Sequence, residues 1–216
     1  MILTLFIHRK KTEYVLFGTN QKLHQCETLN DIYLGEQILN RKTFYKYLGI
    51  YLDQTLSFNE HFNRIINKVS SQLSMLSRIR NNLTIYASEK VFSTMIRPKL
   101  DYCDFVWNTN LPISKYNRLE GVQKRAAKII LKDDSLDLDG LRNQLGWKSI
   151  HNRSSINKLL LVFKCLHSLG PDIFNNYFSK SSNVYNTRRS GKDLLLPKIR
   201  TESRRKSFFL FRCHII

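Results

Sequence analysis

Acidic side chains are scarce in this chain of 216 residues, in which 17 Asp and Glu residues stand against 35 Lys and Arg residues. The resulting formal net charge of +18 is far larger than solubility requires. An excess of this size is typical of proteins that bind a polyanion, and nucleic acid is the commonest such partner. The alternative is a basic subunit whose charge is neutralised by an acidic protein partner.

Cysteine and long apolar runs are also scarce. The four cysteines, Cys26, Cys103, Cys165 and Cys213, form no C-x-x-C pair and are too widely spaced for a metal knuckle. We therefore expect reduced thiols in an intracellular protein, either nuclear or cytoplasmic. The apolar stretch at residues 1–7 is too short to cross a bilayer and has neither a positive n-region nor a cleavage site. We expect no contact with a membrane and no secretory signal.

Familiar catalytic motifs are missing as well. The chain has six scattered histidines and contains no H-E-x-x-H, G-x-S-x-G or P-loop motif. Asp133 and Asp134 follow a predicted helix end, where a solvated loop is the expected setting. Asp101 and Asp104 flank Cys103 in an aromatic segment; they could share a metal ion, but the segment favours packing. We expect no metal site and no cofactor.

Residues 1–56 are predicted to be rich in β-strands. Short apolar or β-branched runs occur at residues 12–17, 31–39 and 44–51. The second run predicts a hairpin, because Gly35 and Glu36 form a two-residue turn of the Gly-X type. Gly49 lies inside the third run, where a glycine indicates a bulge or a close backbone approach. Three or four such strands predict a small antiparallel sheet that must pack against another element.

Residues 57–132 are predicted to form a helical bundle. An amphipathic helix of about twenty residues begins at Ser57 or Asn59. A second helix is predicted from residue 87 to about residue 96, broken near Pro98, and a third over residues 114–132. Two lines of cations lie off the apolar stripes of the first and third helices: Arg64, Lys68, Arg78 and Arg80, and then Arg118, Arg125, Lys128 and Lys132.

Residues 133–178 are predicted to add further helices that pack on this bundle. One covers residues 138–145, and another starts at Ser149 or Asn152. The predicted buried side of the latter consists of Ile156, Leu159, Leu160, Phe163, Leu166 and Leu169. Residues 179–216 are polar and rich in Lys and Arg, which indicates a basic, partly ordered tail. The predicted fold class is α+β, predominantly α.

Five segments occur in an order that resembles a known family. They are KKTEYVLFG at 10–18, YKYLGIYLD at 45–53, IRPKLDYCDFVWN at 96–108, LEGVQKRAAKIIL at 119–131 and LGWKSIHNR at 145–153. Together they resemble the C-terminal part of reverse transcriptases from jockey-like and CR1-like non-LTR retrotransposons, which are RNA-directed DNA polymerases of transposable elements. The resemblance implies that residues 1–56 are a palm remnant and that residues 57–132 are a thumb-like bundle.

The resemblance also implies what is missing. In that family three palm aspartates, two of them in an F/Y-x-D-D hairpin, hold the two Mg²⁺ ions of phosphoryl transfer. No F/Y-x-D-D occurs in these 216 residues. The chain is therefore expected to be a truncated polymerase that is inactive by itself, and the missing polymerase portion is an expected partner.

Candidate binding residues follow from the resemblance and from the charge pattern. Lys11 matches a family lysine that is thought to assist proton transfer to pyrophosphate, but without the aspartates we expect an ordinary surface lysine. Tyr47 and Gly49 match the primer grip, although Gly49 could equally be a turn glycine that the fold requires. The cations expected to contact phosphates are Arg64, Lys68, Arg78, Arg118, Arg125 and Lys128.

Three functional hypotheses stay open at this point. The leading one is a reverse transcriptase remnant that binds the backbone of RNA or of an RNA–DNA hybrid through a basic thumb. The second is a free-standing RNA-binding module. The third is a non-functional gene remnant whose exposed strand edges promote aggregation.

Overall fold

The computed structural model describes residues 12–26, 31–108 and 111–173. The chain divides into two compact units, Met1–Ile65 and Ile66–Ile216. The predicted fold class, α+β and predominantly α, is confirmed. The predictions for Lys11, for the apolar stretch at residues 1–7 and for the tail over 179–216 concern residues outside the described ranges.

The described part of the first unit contains three separate two-stranded sheets and one short helix, α1 (Asn20–Gln25). The strands are β1 (Glu13–Tyr14), β2 (Tyr33–Leu34), β3 (Gln37–Ile38), β4 (Asn40–Arg41), β5 (Phe44–Tyr47) and β6 (Ile50–Asp53). β1 pairs with β4 in parallel, whereas β2–β3 and β5–β6 are antiparallel hairpins. The single antiparallel sheet expected from the sequence is therefore three short pairs, one of them parallel.

Glycine sets the turns of both hairpins. Gly35 has a φ of +67° in the turn between β2 and β3, as predicted. Between β5 and β6, Leu48 and Gly49 are the two turn residues, with φ values of +45° and +89°. Two successive positive φ values correspond to a type I′ turn. The run at residues 44–51 is therefore not one strand with a bulge, as predicted, but two strands joined by a tight turn.

Asp53 joins the last strand to the first long helix, α2 (Asn59–Ile79). Its carboxylate accepts hydrogen bonds from the backbone N–H groups of Ser57 (2.8 Å) and Thr55 (3.2 Å) and from the hydroxyl groups of both residues. Burial alone would raise the pKa of Asp53, but these hydrogen bonds outweigh burial and hold the pKa below its ordinary value. The predicted helix start is confirmed, and the Asn59 N–H donates to Ser57 Oγ (3.4 Å).

The described part of the second unit is helical. After α2 come α3 (Ile85–Val91), α4 (Arg97–Asp101), α5 (Asp104–Trp107), α6 (Ile113–Leu131), α7 (Leu138–Leu145) and α8 (Ile150–Leu166). Helix α6 packs against α3, α7 and α8, while α5 packs against α8. Fully buried core side chains include Val69, Leu73, Leu76, Phe92, Trp107, Leu119, Ala126, Ile130 and Leu141. The predictions for α6, for α7 and for Ser149 as the cap of α8 are confirmed.

The helix that was expected to break near Pro98 continues instead to Asp101. A π-helical turn, Phe92–Ile96, connects α3 to α4, and Pro98 then lies in the first turn of α4. Proline is tolerated there because the first N–H groups of a helix have no intrahelical acceptor. The predicted break is therefore wrong.

Helix α8 buries a different face from the one predicted. The expected core residues Ile156, Leu160, Phe163 and Leu169 are 37% to 70% exposed. The buried residues of this helix are instead Ile150, Arg153, Ser154, Lys158, Val162 and Cys165. Arg153 can be buried on this face because it pairs with Asp101. Burial lowers the pKa of Lys158, and the nearby Asp104 charge opposes this shift only in part.

Within the described ranges no helix is both long enough and apolar enough to cross a membrane. Cys26, Cys103 and Cys165 are free thiols, and Cys165 is buried. Cys213 lies outside the described ranges.

Candidate nucleic-acid interface

Helix α6 holds the connection between α7 and α8 through polar side chains. Glu120 accepts a hydrogen bond from the backbone N–H of Ile150 (3.1 Å) and pairs with Arg142 of α7. Gln123 Nε2 donates to the carbonyl oxygen of Lys148 (3.0 Å). Glu120, Gln123, Lys148 and Ile150 belong to the segments at 119–131 and 145–153 described above. In this region these residues therefore serve the packing of the second unit.

The acidic residues beside Cys103 also serve packing. Asp101 pairs with Arg153 (2.8 Å) and with Arg97 (3.2 Å), and Asp104 accepts a hydrogen bond from Asn157 Nδ2 (3.2 Å). Burial raises the pKa of Asp104. In the part of the chain that the structure describes, no cluster of three or more His, Cys, Asp or Glu side chains is arranged to hold a metal ion.

Arg80 was counted among the surface cations of α2, but it is buried. It follows the helix directly and reaches the C-terminal end of α6. Its Nε and Nη2 donate to the carbonyl oxygen of Ile130 (2.9 and 2.6 Å), and Nε also donates to that of Ile129 (3.1 Å). Nη1 donates to the carbonyl oxygen of Leu83 (2.6 Å). The guanidinium therefore donates to carbonyl groups at the end of α6 that have no intrahelical donor. Its positive charge lies against the negative end of the dipole of α6, which is a favourable interaction.

A depression of about 350 Å³ lies above this buried arginine, where the ends of α2 and α6 meet. We call it the cationic cleft; it is lined by Ser77, Arg80, Asn81, Arg125, Lys128, Ile129, Lys132 and Asp134. Four of these side chains are cationic and one is anionic. The hydroxyl of Ser77 and the amide of Asn81 add neutral hydrogen-bonding groups. Such a surface suits a phosphate group, which needs several donors and a positive potential.

The cations of the cleft are positioned by weak, exchangeable contacts. Arg125 Nη2 donates to Ser74 Oγ (3.1 Å). Lys128 Nζ lies 3.1 Å from the carboxylate of Asp134, whose side chain is 91% exposed. An exposed ion pair of this kind contributes about 1 kcal/mol or less, so a phosphate could replace Asp134 at little cost. Lys132 ends α6 in the left-handed conformation, with a φ of +58°.

Three other predicted phosphate ligands lie outside the cleft. Lys68 and Arg78 are exposed on α2, and Arg118 is exposed on α6. Lys68 and Lys99 form a second positive region. Burial lowers the pKa of Lys99, and the nearby charge of Lys68 lowers it further. Of the six cations predicted to contact phosphate, Arg125 and Lys128 line the cationic cleft and the other four do not.

The candidate residues of the first unit lie on or beside the β5–β6 hairpin. Tyr47 is 59% exposed at the end of β5, and Gly49 is a turn residue. The guanidinium of Arg64 stacks 4.4 Å from the ring centre of Tyr51 and pairs with Glu60. Arg64, predicted to contact phosphate, therefore already has an aromatic and an acidic partner within the first unit.

His61 lies behind this hairpin and is almost fully buried. Its Nδ1 accepts a hydrogen bond from the backbone N–H of Tyr51 (3.4 Å). Burial lowers the pKa of His61 to about 4, so the imidazole is neutral at pH 7. This histidine is a packing residue of the strand-to-helix junction, and its titration provides a probe of the first unit.

Sequence reasoning missed the cleft as a unit. Ser77 and Asn81 carried no signal, since isolated Ser and Asn residues near a helix end are common. Lys132 was part of the predicted cationic line of the third helix but was not chosen as a ligand. Arg125 and Lys128 are three positions apart in α6 and therefore lie on one side of the helix. This spacing is the sequence pattern that indicates a shared cationic surface. The contribution of α2 depends on tertiary packing, which no local pattern encodes.

Comparisons of the chain with family models, with curated proteins and with solved structures found no match. Function is therefore inferred from the geometry and charge of the chain and from the order of its segments.

Proposed function

We propose that the chain binds the sugar–phosphate backbone of RNA or of an RNA–DNA hybrid, and that it derives from the palm and thumb of a non-LTR retrotransposon reverse transcriptase. The order of the five segments supports the origin. The observation that carries the binding function is the cationic cleft, in which Arg125, Lys128 and Lys132 converge above the buried charge of Arg80. Contacts of this kind recognise backbone rather than base sequence.

The charge of the whole chain favours the same function. A net charge of +18 attracts a polyanion over a distance of about one Debye length, roughly 8–10 Å at physiological salt. The cleft then supplies the short-range donors that such an encounter needs. Bound phosphate would replace Asp134 as the partner of Lys128. Because the side chain of Asp134 is 91% exposed, the released carboxylate stays in water and no buried charge loses its partner.

We expect the chain to bind nucleic acid without extending it. Two-metal phosphoryl transfer needs carboxylates that hold both ions, and the F/Y-x-D-D that supplies them in the family does not occur in this sequence. A primer-extension assay with the purified chain, a primed RNA template and Mg²⁺ is expected to give no product. Clear incorporation of nucleotides would contradict this part of the proposal.

The binding function is tested by fluorescence anisotropy with a labelled RNA–DNA hybrid. The double variant Arg125→Gln/Lys128→Gln is expected to bind at least tenfold more weakly than the unmodified chain, since two charge-assisted contacts are lost. The double variant Lys90→Gln/Lys164→Gln is the matched control, because it removes the same number of charges from exposed positions on α3 and α8 that do not line the cleft.

Two results would contradict the proposal. One is the absence of any binding at low salt by folded, monodisperse protein. The other is an equal loss of affinity in the cleft variant and in Lys90→Gln/Lys164→Gln, which would mean that net charge alone decides binding. Aggregation of the purified chain would instead favour the gene-remnant hypothesis.

A further inference from the structure

A second pocket in the helical unit is lined by three cations and one aromatic side chain. It has a volume of about 310 Å³ and lies where α4, the α7–α8 connection and α8 meet. We call it the arginine pocket; its lining includes Arg97, Asp101, Trp147, Lys148, Arg153 and Ile156. None of these residues lines the cationic cleft. Most of these residues lie in the segments at 96–108 and 145–153, but none of them was among the predicted phosphate ligands.

Two buried N–H groups of this lining lack an acceptor. Arg153 has a side chain that is only 9% exposed, and its Nε is hydrogen-bonded to no atom of the described residues. The indole Nε1 of Trp147 is buried and equally without an acceptor there. Both atoms have almost no accessible surface, so a ligand in the pocket meets instead the exposed cationic groups of Arg97 and Lys148 and the part of the Arg153 side chain that lines the pocket.

The charge of the pocket favours an anion as that group. Arg97, Lys148 and Arg153 are three cations against the single carboxylate of Asp101. Asp101 bridges the two guanidiniums, since its Oδ1 lies 2.8 Å from Arg153 and its Oδ2 lies 3.2 Å from Arg97. Asp101 therefore holds the guanidiniums of Arg97 and Arg153 close together, and its single negative charge does not cancel the positive potential of the three cations. An anionic ligand would meet hydrogen-bond donors that are already positioned.

The remaining wall is apolar and rigid. The indole of Trp147 stacks on the ring of Phe92, with ring centres 4.4 Å apart and planes at 21°. Ile156 lies on the same lining. An indole fixed by stacking offers an edge or face to a flat ring without further loss of side-chain entropy. The volume is at the lower end of the range for ligand pockets, about 300–1,000 Å³, which limits the ligand to roughly the size of one nucleotide.

We propose that the arginine pocket binds a terminal phosphate monoester carried by a nucleoside. The phosphate would accept hydrogen bonds from Arg97, Lys148 and Arg153, and the base or sugar would contact Trp147 and Ile156. Such a group is found on a free nucleoside monophosphate and on the phosphorylated 5′ end of a strand. This inference goes beyond backbone binding by the cationic cleft and does not depend on it.

Tryptophan fluorescence of the full chain tests the proposal. The protein has two tryptophans, and Trp107 is fully buried, so a ligand-dependent change reports on Trp147. Adenosine monophosphate and a 5′-phosphorylated oligonucleotide are expected to give saturable changes. Adenosine and the same oligonucleotide with a 5′ hydroxyl are expected to give none at matched concentrations. Saturation by only one of the two phosphorylated ligands identifies the source of the phosphate, and isothermal titration calorimetry checks each result without relying on fluorescence.

Variants separate this pocket from the cleft. Lys148→Gln is expected to weaken adenosine monophosphate binding about tenfold without changing thermal stability, because only the backbone carbonyl of Lys148 holds α6. Arg125→Gln/Lys128→Gln is expected to leave that affinity unchanged while weakening binding of the hybrid. The pocket is refuted if folded protein binds neither phosphorylated ligand at millimolar concentration, or if the cleft variant loses binding and Lys148→Gln keeps it. In the second case backbone binding by the cleft still stands.

Discussion

Replacing Arg80 by methionine tests how the cleft is built. Methionine fills much of the same volume but removes the guanidinium donors that Arg80 supplies to the C-terminal end of α6. The structure shows four hydrogen bonds from this guanidinium to the carbonyl oxygens of Leu83, Ile129 and Ile130. A hydrogen bond that involves a charged group contributes about 1.5–3 kcal/mol, and a cation at a partly buried helix C-terminus contributes up to about 2 kcal/mol. These contributions overlap, so we expect Arg80→Met to lose about 3–5 kcal/mol of unfolding free energy.

Urea unfolding followed by circular dichroism measures this loss, provided that the dependence of the free energy on urea is unchanged. Arg78→Met is the matched control. It removes the same kind of side chain two residues earlier, from an exposed position, and is expected to change stability by no more than about 0.5 kcal/mol. Arg80→Lys keeps the charge but loses the fork of donors, so an intermediate value is expected. A loss below about 1 kcal/mol for Arg80→Met would refute the assignment of Arg80 as the cap of α6.

Three further predictions concern the strand-to-helix junction and α8. The pKa of His61 is about 4 in the folded protein and 6.5 in the unfolded chain, so the neutral imidazole stabilises the fold fully above pH 6.5. This stabilisation is lost as the pH falls from 6.5 to 4. Urea unfolding should show a loss of at most about 3 kcal/mol over this range, and His61→Gln should abolish the loss. Asp53→Ala should cost about 1–2 kcal/mol by the same measurement, whereas the exposed Asp31→Ala should cost almost nothing. Leu160→Ser should be tolerated within about 0.5 kcal/mol while Val162→Ser costs more than about 2 kcal/mol, and the reverse order would mean that α8 buries the other face.

Local patterns predicted the elements whose signals are local. The start of α2, the turn at Gly35 and the bounds of α7 follow from capping chemistry, turn geometry and apolar spacing, and all three are confirmed. The short helix α1 carried a weaker signal, a Thr19 side chain that accepts a hydrogen bond from the Lys22 N–H (3.4 Å), and it was missed. A six-residue helix has too few periodic positions for its pattern to be recognised.

The failures share a different cause. The apolar spacing of α8 predicted the wrong buried face, because Asp101 pairs with Arg153 from another helix and so makes burial of a charged face possible. Arg80 was counted as a surface cation for the same reason, since its acceptors lie about fifty residues away in sequence. The arginine pocket was missed because Trp147 and Arg153 acquire their unpaired donors only through tertiary packing.

The salt dependence of RNA–DNA hybrid binding tests the central claim most directly. The logarithm of the affinity is measured against the logarithm of salt concentration for the unmodified chain and for Arg125→Gln/Lys128→Gln. Each lost phosphate contact lowers the slope by roughly 0.7–0.9, so the double variant should have a slope shallower by about 1.4–1.8. An unchanged slope with weaker binding, or the same change in Lys90→Gln/Lys164→Gln, would contradict phosphate contact by the cationic cleft.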